Sequence, residues 1–409
     1  MGMAELVLFD DGCPTLTPVC DLQASFDLRT GALTTMQRIA RQIAQPPGAL
    51  VVRPYLAPLI ASRHHLPINR PPDHDVLLIN GRWSSIDSAL PTAIDSAIIA
   101  EDGTLLAALL DARAASKFIE CACRLPDGVT TTSATGAKLI RHPWDVLLHA
   151  RANLAADIDA MSHLHDYDPP STIVVIGDRP VRVGSGEGGG GGGVIDPLVV
   201  LDTSGGPIAI DEGAHIHAHC IIEGPCYIGC GATINARAHI RANTVVGPSC
   251  KIGGEVGACV FQGFSNKGHT GYLGDSYVGE WVNLGAGTTT SNLKNTYGQV
   301  KMQVTADGEP QPTGMVFLGS IIGDHVKTAI GTRLLTGTCI GTGAMVALSG
   351  FTPKYVPPFA FVTDGGVGGA VRYDLERFCL VADRVMQRRG QRVNAELTQT
   401  LAALHQRTV

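Results

Sequence analysis

Aromatic and charged side chains are both scarce in this chain of 409 residues: aromatics make up 5% and charged residues 17%. Lys and Arg total 31 against 37 Asp and Glu, a net charge of −6, so the basic surplus typical of nucleic-acid binding is absent. No apolar run approaches 18 residues, and the acidic start MGMAELVLFDDG lacks a signal-peptide pattern. We therefore expect a cytoplasmic protein without nucleic-acid or membrane partners.

Paired cysteines are not indicated either, because the 11 cysteines are odd in number and scattered, which favours a reduced chain. Glycine is abundant, at 49 residues, but without the period of collagen. Ten residues at 184–193 (GSGEGGGGGG) have almost no side chains to pack, and they predict a flexible linker or loop. A phosphate-binding loop would need a following helix and a Gly-Lys-Ser/Thr sequence, which this tract lacks.

The stretch before the glycine tract, residues 1–183, predicts an α/β domain. The runs LVLFDD, ALVVRPYL and HDVLLINGR have the apolar character of buried strands, and GALTTMQRIARQI has an apolar helical face. Apolar strands alternating with a helix indicate a parallel or mixed sheet covered by helices.

After the glycine tract, residues 194–365 show a six-residue period that neither an amphipathic helix nor a simple strand explains. Such a hexapeptide repeat is typical of a parallel β-helix, in which one aliphatic residue per face points inward and stacks on its counterpart eighteen residues away. The first series of the ladder is Ile210, Ile216, Ile222, Ile228, Ile234, Ile240, Val246 and Ile252. The second is Ile322, Thr328, Leu334, Ile340 and Val346. Residues 366–409 form a tail in which helical spacing from Val371, interrupted at Gly390, predicts two helices.

Polar residues interrupt the ladder at 261–300, where an irregular loop on a rigid coil is a usual place for function. His269 suits general-base catalysis because its intrinsic pKa is near neutral. Lys267 and Lys294 suit phosphate, and Asn283 and Asn292 suit a sugar or an amide. The alternative is a solvated loop without a site.

The sequence SNKGHTGYLGDSYVGEWVNLGAGTTTSNLKNTYGQV, with FLGSIIGDHVKTAIGT after it, closely resembles the bifunctional UDP-N-acetylglucosamine diphosphorylase/glucosamine-1-phosphate N-acetyltransferase family. The nearest branch is its divergent sugar nucleotidyltransferase form, whose motifs LFDDG, DLRTGALT, VLLINGR and HPWDVLLHARANL occur here in the same order. The resemblance implies a nucleotidyltransferase-like α/β domain and a left-handed β-helix that forms a homotrimer. It also implies a role in UDP-N-acetylglucosamine biosynthesis, which supplies cell-envelope precursors.

The resemblance assigns roles to residues of the loop. His269 matches the family's general base, three residues before Tyr272 of the YLGD motif. Asn283 matches a sugar contact, and Asn292 a residue that orients the amine and the acetyl group. Acetyl-CoA would be the co-substrate and a sugar phosphate the acceptor, in a site between neighbouring subunits.

The N-terminal half departs from the family pattern, since it lacks the LAAGxGTxM phosphate loop and has Asn80 where an Asp normally binds metal. Nucleotidyl transfer, which joins an NTP to a sugar-1-phosphate, would need Mg²⁺. The candidate nucleotide-binding residues are Asp10, Arg29, Gly31, Asn80, Gly81 and Asn153, and Asp157 is a further candidate. Two alternatives to a bifunctional transferase therefore stay open: nucleotidyl transfer alone, and a non-catalytic β-helix scaffold that binds a nucleotide sugar.

A second polar motif, AHIHAHC, contains His215, His217 and His219. Because Ile216 must point inward, the flanking histidines lie on the outer side of one short coil edge. A solvated edge is favoured over a zinc site, and no metal ligand is assigned.

Overall fold

The structure is a computed structural model that describes residues 4–186, 191–365 and 370–408. Its N-terminal part is a six-stranded mixed sheet of strand order β2-β1-β3-β5-β4-β6. The strands are β1 (Glu5–Phe9), β2 (Ala49–Val51), β3 (Val76–Asn80), β4 (Ser96–Ala100), β5 (Leu105–Leu110) and β6 (Thr130–Ala134). The α-helices are α1 (Thr35–Ile43), α2 (Ala57–His64), α3 (Ala112–Glu120) and α4 (Asp145–Ala160), and short 3₁₀ turns lie at Pro14–Leu16, Ser25–Asp27 and Pro54–Leu56. The predicted α/β domain is confirmed.

Strand β1 is apolar along its whole length because both sides of the sheet are covered. Leu6 and Leu8 belong to one hydrophobic core, whereas Val7 and Phe9 belong to the core on the opposite side. β1 pairs in parallel with β2 and β3, so these three strands end at the same edge of the sheet. In open α/β sheets ligands bind beyond that edge.

The second part is a parallel β-helix with three faces, consistent with the left-handed class that the resemblance implies. Face 1 contains Val194–Ile195, His215–Ile216, Thr233–Ile234, Lys251–Ile252, Asn266–Lys267, Lys327–Thr328, Met345–Ala347 and Ala360–Thr363, with Ala370–Arg372 antiparallel at its end. Face 2 contains Val174–Ile176, Val200–Asp202, Ile221–Glu223, His239–Ile240, Glu255–Gly257 and Tyr272–Gly274, followed by the pair Thr289–Thr290 and Arg333–Leu334. Face 3 contains Leu164–Asp166, Val181–Gly184, Ile208–Ile210, Cys226–Ile228, Thr244–Val246, Val260–Gly263, Tyr277–Glu280, Ser320–Ile322, Thr338–Ile340 and Tyr355–Val356.

The hexapeptide ladder forms the axis of this β-helix, as predicted. Its members pair at a distance of eighteen residues: Ile210 with Ile228, Ile216 with Ile234, and Ile222 with Ile240. All eight aliphatic residues of the first series are fully buried. Each contributes roughly 2 kcal/mol by transfer from water, so the repeat itself stabilises the coil.

The β-helix begins earlier than the sequence predicted. Val174–Ile176 and Val181–Gly184 already pair in parallel with strands of faces 2 and 3, so the boundary at 183/184 is corrected to a position before residue 174. Part of the predicted glycine-rich linker or loop, residues 187–190, lies outside the described residues. The tract is thus inserted between two strands of the first coils and does not separate two domains.

The interruption of the ladder also differs from its predicted position at 261–300. Strands continue on all three faces up to Tyr277–Glu280, but the coil shortens, so that Ile252 pairs with Lys267 only fifteen residues later. The chain leaves the coil between Thr290 and Ser320, where Lys301–Met302 and Gln311–Pro312 form an antiparallel hairpin.

Face 3 packs against the N-terminal domain. Outward-pointing Tyr227, Val245 and Tyr277 form one hydrophobic cluster with Leu147 and Leu154 of α4. An apolar outer surface on this face explains why the two parts join there.

The tail contains α5 (Leu375–Gln387) and α6 (Ala395–Arg407), and Gly390 lies between them at φ +69°, which confirms the predicted break. Leu401 of α6 belongs to one hydrophobic cluster with Leu59 of α2 and Trp281 of the β-helix, so the tail bridges both parts. Among the helices of the described residues, none is both long and apolar enough to cross a membrane.

Candidate functional site

His269 lies at the corner where the chain passes from face 1 to face 2, between strands Asn266–Lys267 and Tyr272–Gly274. Its side chain is exposed. The corner is held from inside the coil, because the Lys267 ammonium donates to the backbone oxygens of Gly253 (2.8 Å) and His269 (3.0 Å). An exposed imidazole thus stands on a backbone turn that an interior hydrogen bond fixes.

Lys267 is not available to a substrate phosphate, which corrects its predicted role. It is 2% exposed and occupies the inward ladder position that Ile252 occupies one coil earlier. Burial lowers the pKa of Lys267 to about 8, because an apolar interior disfavours the charged form. Its role is to shape the corner that carries His269.

Tyr272 lies on face 2, in a cleft of about 370 Å³ that we call the Tyr272 cleft. The Asn292 side-chain nitrogen donates to the Tyr272 hydroxyl (3.0 Å) and to a carboxylate oxygen of Asp275 (2.5 Å). Asp275 also pairs with Arg151 of α4. Burial, with the charge of Asp275 adding to it, raises the pKa of Tyr272, so the phenol stays protonated at neutral pH. The cleft is further lined by Glu223, Arg241, Ala242, Asn243, Gly257, Ala258 and Phe317.

Four charged residues of this cleft were not predicted from the sequence: Arg151, Glu223, Arg241 and Asp275. Asp275 is the last residue of the YLGD motif, so the sequence contains a local signal for it. Arg151 is separated from Asp275 by 124 positions, and no local spacing predicts that the two side chains meet.

Asn283 lies on face 1 and is not brought together with Tyr272 within one chain. Its side-chain oxygen accepts a hydrogen bond from Asn266 (2.8 Å). Lys294 does not line the Tyr272 cleft either. Its ammonium donates to the Gln299 carbonyl (2.5 Å), a hydrogen bond within the loop that carries both residues. The five predicted substrate residues therefore divide among the coil interior, two faces and a loop.

A second cleft, of about 460 Å³, separates face 1 from α5 and is lined by Asn283. We call it the basic cleft, because its lining includes the cations Lys251, Arg388 and Arg389 beside the buried amine of Lys327. Burial lowers the pKa of Lys327 to about 7. Among the described residues that line this cleft there is no carboxylate, so its charge suits an anion.

The candidate nucleotide residues Asp10 and Asn80 meet at the carboxyl ends of β1 and β3. The Asn80 side-chain nitrogen donates to Asp11 (3.1 Å). Arg82 pairs with the same Asp11 carboxylate (2.8 and 3.0 Å), while Arg53 pairs with Asp10 (3.0 Å). These five residues form the strand-end cluster.

This donor set does not fit Mg²⁺ as the side chains stand. Each carboxylate of the strand-end cluster already neutralises a guanidinium group, and Asn80 presents its nitrogen to Asp11. Burial raises the pKa of Asp10, which disfavours its charged form. Gly81 is also covered, because a Cβ there would lie 2.7 Å from the backbone nitrogen of Phe26.

The other three candidate nucleotide residues lie elsewhere and hold the N-terminal part to α4 and the β-helix. The Arg29 backbone donates to the Gln262 side chain (3.0 Å), and Asn153 of α4 donates to the Thr30 carbonyl (3.0 Å). A Cβ on Gly31 would lie 2.1 Å from a carboxylate oxygen of Asp157 in α4. Their surroundings are those of structural contacts.

Comparisons with known proteins agree with the predicted resemblance. Residues 6–165 match the sugar nucleotidyl transferase family model. The chain is 31% identical over 166 residues to the bifunctional protein GlmU of Jannaschia sp. (strain CCS1), covering 40% of this chain and 32% of that protein. It is 37% identical over 143 residues to a bifunctional sugar-1-phosphate nucleotidylyltransferase/acetyltransferase of Sulfurisphaera tokodaii, covering 34% and 35%. The chain thus spans about a third of the length of these relatives.

Among solved structures, the chain matches a hexapeptide transferase family protein from Anaplasma phagocytophilum at 14% identity and a TM-score of 0.16, over 59% of this chain and all of that one. It also matches a mutant of GDP-perosamine N-acetyl transferase from Caulobacter crescentus, in complex with CoA and GDP-perosamine. That match has 13% identity and a TM-score of 0.15, over 91% of this chain and 98% of the other.

Proposed function

We propose that this chain, similar over part of its length to bifunctional nucleotidyltransferase/acetyltransferases, is a sugar-phosphate transferase that acetylates the amino group of an amino-sugar-1-phosphate with acetyl-CoA. The observation that carries the proposal is the exposed His269 on its braced corner, three residues before Tyr272 and its cleft. A general base must be exposed to its substrate and held near it. Here the imidazole is exposed and Lys267 holds the backbone of the residue that carries it.

His269 would accept the proton of the attacking amine as its nitrogen adds to the thioester carbonyl. The new C–N bond forms, the tetrahedral intermediate collapses with cleavage of the C–S bond, and the imidazolium returns the proton to the CoA thiolate. Products are the N-acetyl sugar phosphate and CoA. Backbone N–H groups of a neighbouring coil would stabilise the oxyanion.

The charges of the two clefts support such substrates. Arg241 in the Tyr272 cleft suits the sugar phosphate, and the Tyr272 hydroxyl suits a sugar hydroxyl. The basic cleft, with Lys251 and Arg388 exposed at its edge, suits the phosphate groups of acetyl-CoA.

The proposal includes an assembly of several copies, for which the family resemblance implies a homotrimer. Tyr272 and Asn283 both match substrate residues of the family, yet they lie on different faces of one chain. One substrate contacts both only if a neighbouring copy contributes the second face. A monomer in solution under assay conditions would contradict this step.

Nucleotidyl transfer in the N-terminal domain is the second candidate, because residues 6–165 match a sugar nucleotidyl transferase family model. An NTP and a sugar-1-phosphate would give an NDP-sugar and pyrophosphate. The strand-end cluster opposes this candidate, since its carboxylates are engaged by Arg53 and Arg82 and leave no ligand set for Mg²⁺.

The purified chain should be incubated with glucosamine-1-phosphate in two separate arms, one with acetyl-CoA and one with the four NTPs and MgCl₂. Products should be identified by mass spectrometry, because exposed free cysteines such as Cys121 and Cys230 would react with a thiol reagent for CoA. We expect an acetylated sugar phosphate in the first arm. Pyrophosphate in the second arm alone would favour the second candidate. Binding without turnover in either arm would favour the non-catalytic scaffold.

A further inference from the structure

A cluster of two imidazoles and one carboxylate lies on the outer surface of face 1, far along the chain from the His269 corner. The His215 Nε2 atom lies 2.8 Å from one oxygen of Asp196, and the His217 Nδ1 atom lies 3.1 Å from the other. The three potential ligand atoms all lie within 4.8 Å of one another. Among the residues that the structure describes, this is the one group of three His, Cys, Asp or Glu side chains with such an arrangement.

The β-helix builds this cluster through its register. Ile216 is fully buried in the ladder, so His215 and His217 on either side of it point outward together, with ring centroids 4.0 Å apart. Ile195 pairs with Ile216, which brings Asp196 beside His217 from the preceding coil. The register of two paired strands therefore places the three residues side by side, and the two contacts to Asp196 hold their side chains together.

We infer that Asp196, His215 and His217 form a zinc site with at least one coordination position open to solvent. Neutral imidazole nitrogen and carboxylate oxygen are ordinary zinc ligands, at about 2.0–2.2 Å from the metal, and two tetrahedral ligand atoms are then about 3.3 Å apart. The observed separations of 2.8 and 3.1 Å need only a small expansion. The His215 and His217 side chains are each 38% exposed and that of Asp196 is 30% exposed, so an ion here would remain accessible to water or to a substrate group.

The sequence pattern favoured a solvated edge over a zinc site, because the motif contains only the three neighbouring histidines and gives no sign of Asp196. His219 lies at a corner with φ +63° and is not part of the group, and Asp196 takes the third place. Face 2 contains a surface pair of imidazole and carboxylate that lacks a second imidazole. His239 pairs there with Glu223 at 2.6 Å, and its side chain is also 38% exposed. That pair is a matched control.

The test uses the full-length chain, stripped of metal with a chelator and titrated with ZnCl₂ against a chromophoric competitor. We expect one zinc ion per chain, and we expect His217→Ala and Asp196→Ala each to weaken binding by at least about tenfold. His239→Ala should leave the affinity unchanged. Circular dichroism checks that the exposed substitutions leave the fold intact.

Titration with CoCl₂ identifies the ligands. Nitrogen and oxygen ligands should give the visible d–d bands of low-coordinate Co²⁺ without the near-ultraviolet charge-transfer band of thiolate. A thiolate band would assign the metal to the free cysteines and overturn the inference. Equal zinc affinity in His217→Ala and wild type, or no binding by wild type, would also overturn it. Neither readout depends on acetyl transfer, so this inference and the proposed function can fail separately.

Discussion

The ammonium group of Lys267, inside the β-helix, donates a hydrogen bond to the backbone oxygen of His269, whose imidazole is on the surface. A buried cation thus connects the interior of the coil to the residue proposed to act on the substrate. The same ammonium also donates to Gly253 one coil earlier, so the corner is tied to its neighbour.

Replacing this cation tests its positioning role. Lys267→Met keeps the length and apolar stem of the side chain but removes both hydrogen bonds. We expect kcat for acetylation to fall by about tenfold, since losing bonds from a charged donor costs ~1.5 kcal/mol or more in placing His269. The KM for acetyl-CoA should stay the same. Steady-state kinetics against the exposed control Lys301→Met checks this, and an unchanged kcat would remove Lys267 from the positioning of His269.

Lys327 gives the stability of the chain a specific pH dependence. Burial lowers the pKa of Lys327 to about 7 from the ordinary 10.5, so between these values the unfolded chain binds a proton that the folded chain does not. The free energy of unfolding therefore rises with pH in this window, by up to about 1.4 kcal/mol per pH unit from this group.

Urea unfolding at pH 7, 8 and 9 of wild type and Lys327→Met isolates this contribution, because every other group is present in both proteins. The stability of wild type relative to the variant should increase with pH across this range. A difference that stays constant from pH 7 to 9 would show that Lys327 is charged in the folded chain throughout.

The buried pair of Arg38 and Asp157 predicts a large loss of stability when the carboxylate is removed. Arg38 Nε donates to Asp157 at 2.8 Å, and the two side chains are 7% and 4% exposed. Asp157→Asn leaves the guanidinium without a counter-ion and should cost about 3–5 kcal/mol in urea unfolding. The exposed pair of Asp102 and Arg141 is the control, and Asp102→Asn should cost ~1 kcal/mol or less. Similar losses in both variants would contradict the structural role of Asp157.

The coil was predictable because its period is local. Each aliphatic residue of the ladder, such as Ile216, recurs once in every six residues. Three such repeats make one coil, so the pairing of Ile216 with Ile234, eighteen residues later, follows from the repeat. The interior position of Lys267 was not predictable, because the coil shortens by three residues just before it.

Contacts between distant segments account for the rest of the candidate site. Asp196 meets His215 and His217 across one turn of the coil, and Arg151 meets Asp275 across two parts of the fold. Neither is encoded in a local spacing. Of the predicted nucleotide-binding set, Asp10, Asn80 and Gly81 lie together, because strands that run in parallel end at one edge. Arg29, Gly31 and Asn153 lie elsewhere. Their pairing with Arg53 and Arg82 depends on loops whose path the sequence pattern does not specify.

The most direct measurement compares acetylation of glucosamine-1-phosphate by wild type, His269→Ala and Thr270→Ala, with products quantified by mass spectrometry. Thr270 is the exposed neighbour on the same corner and serves as the control. We expect His269→Ala to lose on the order of 10²–10⁴ in kcat, the usual contribution of a general base, and Thr270→Ala to stay within about twofold of wild type. Equal rates for His269→Ala and wild type would contradict the role of His269.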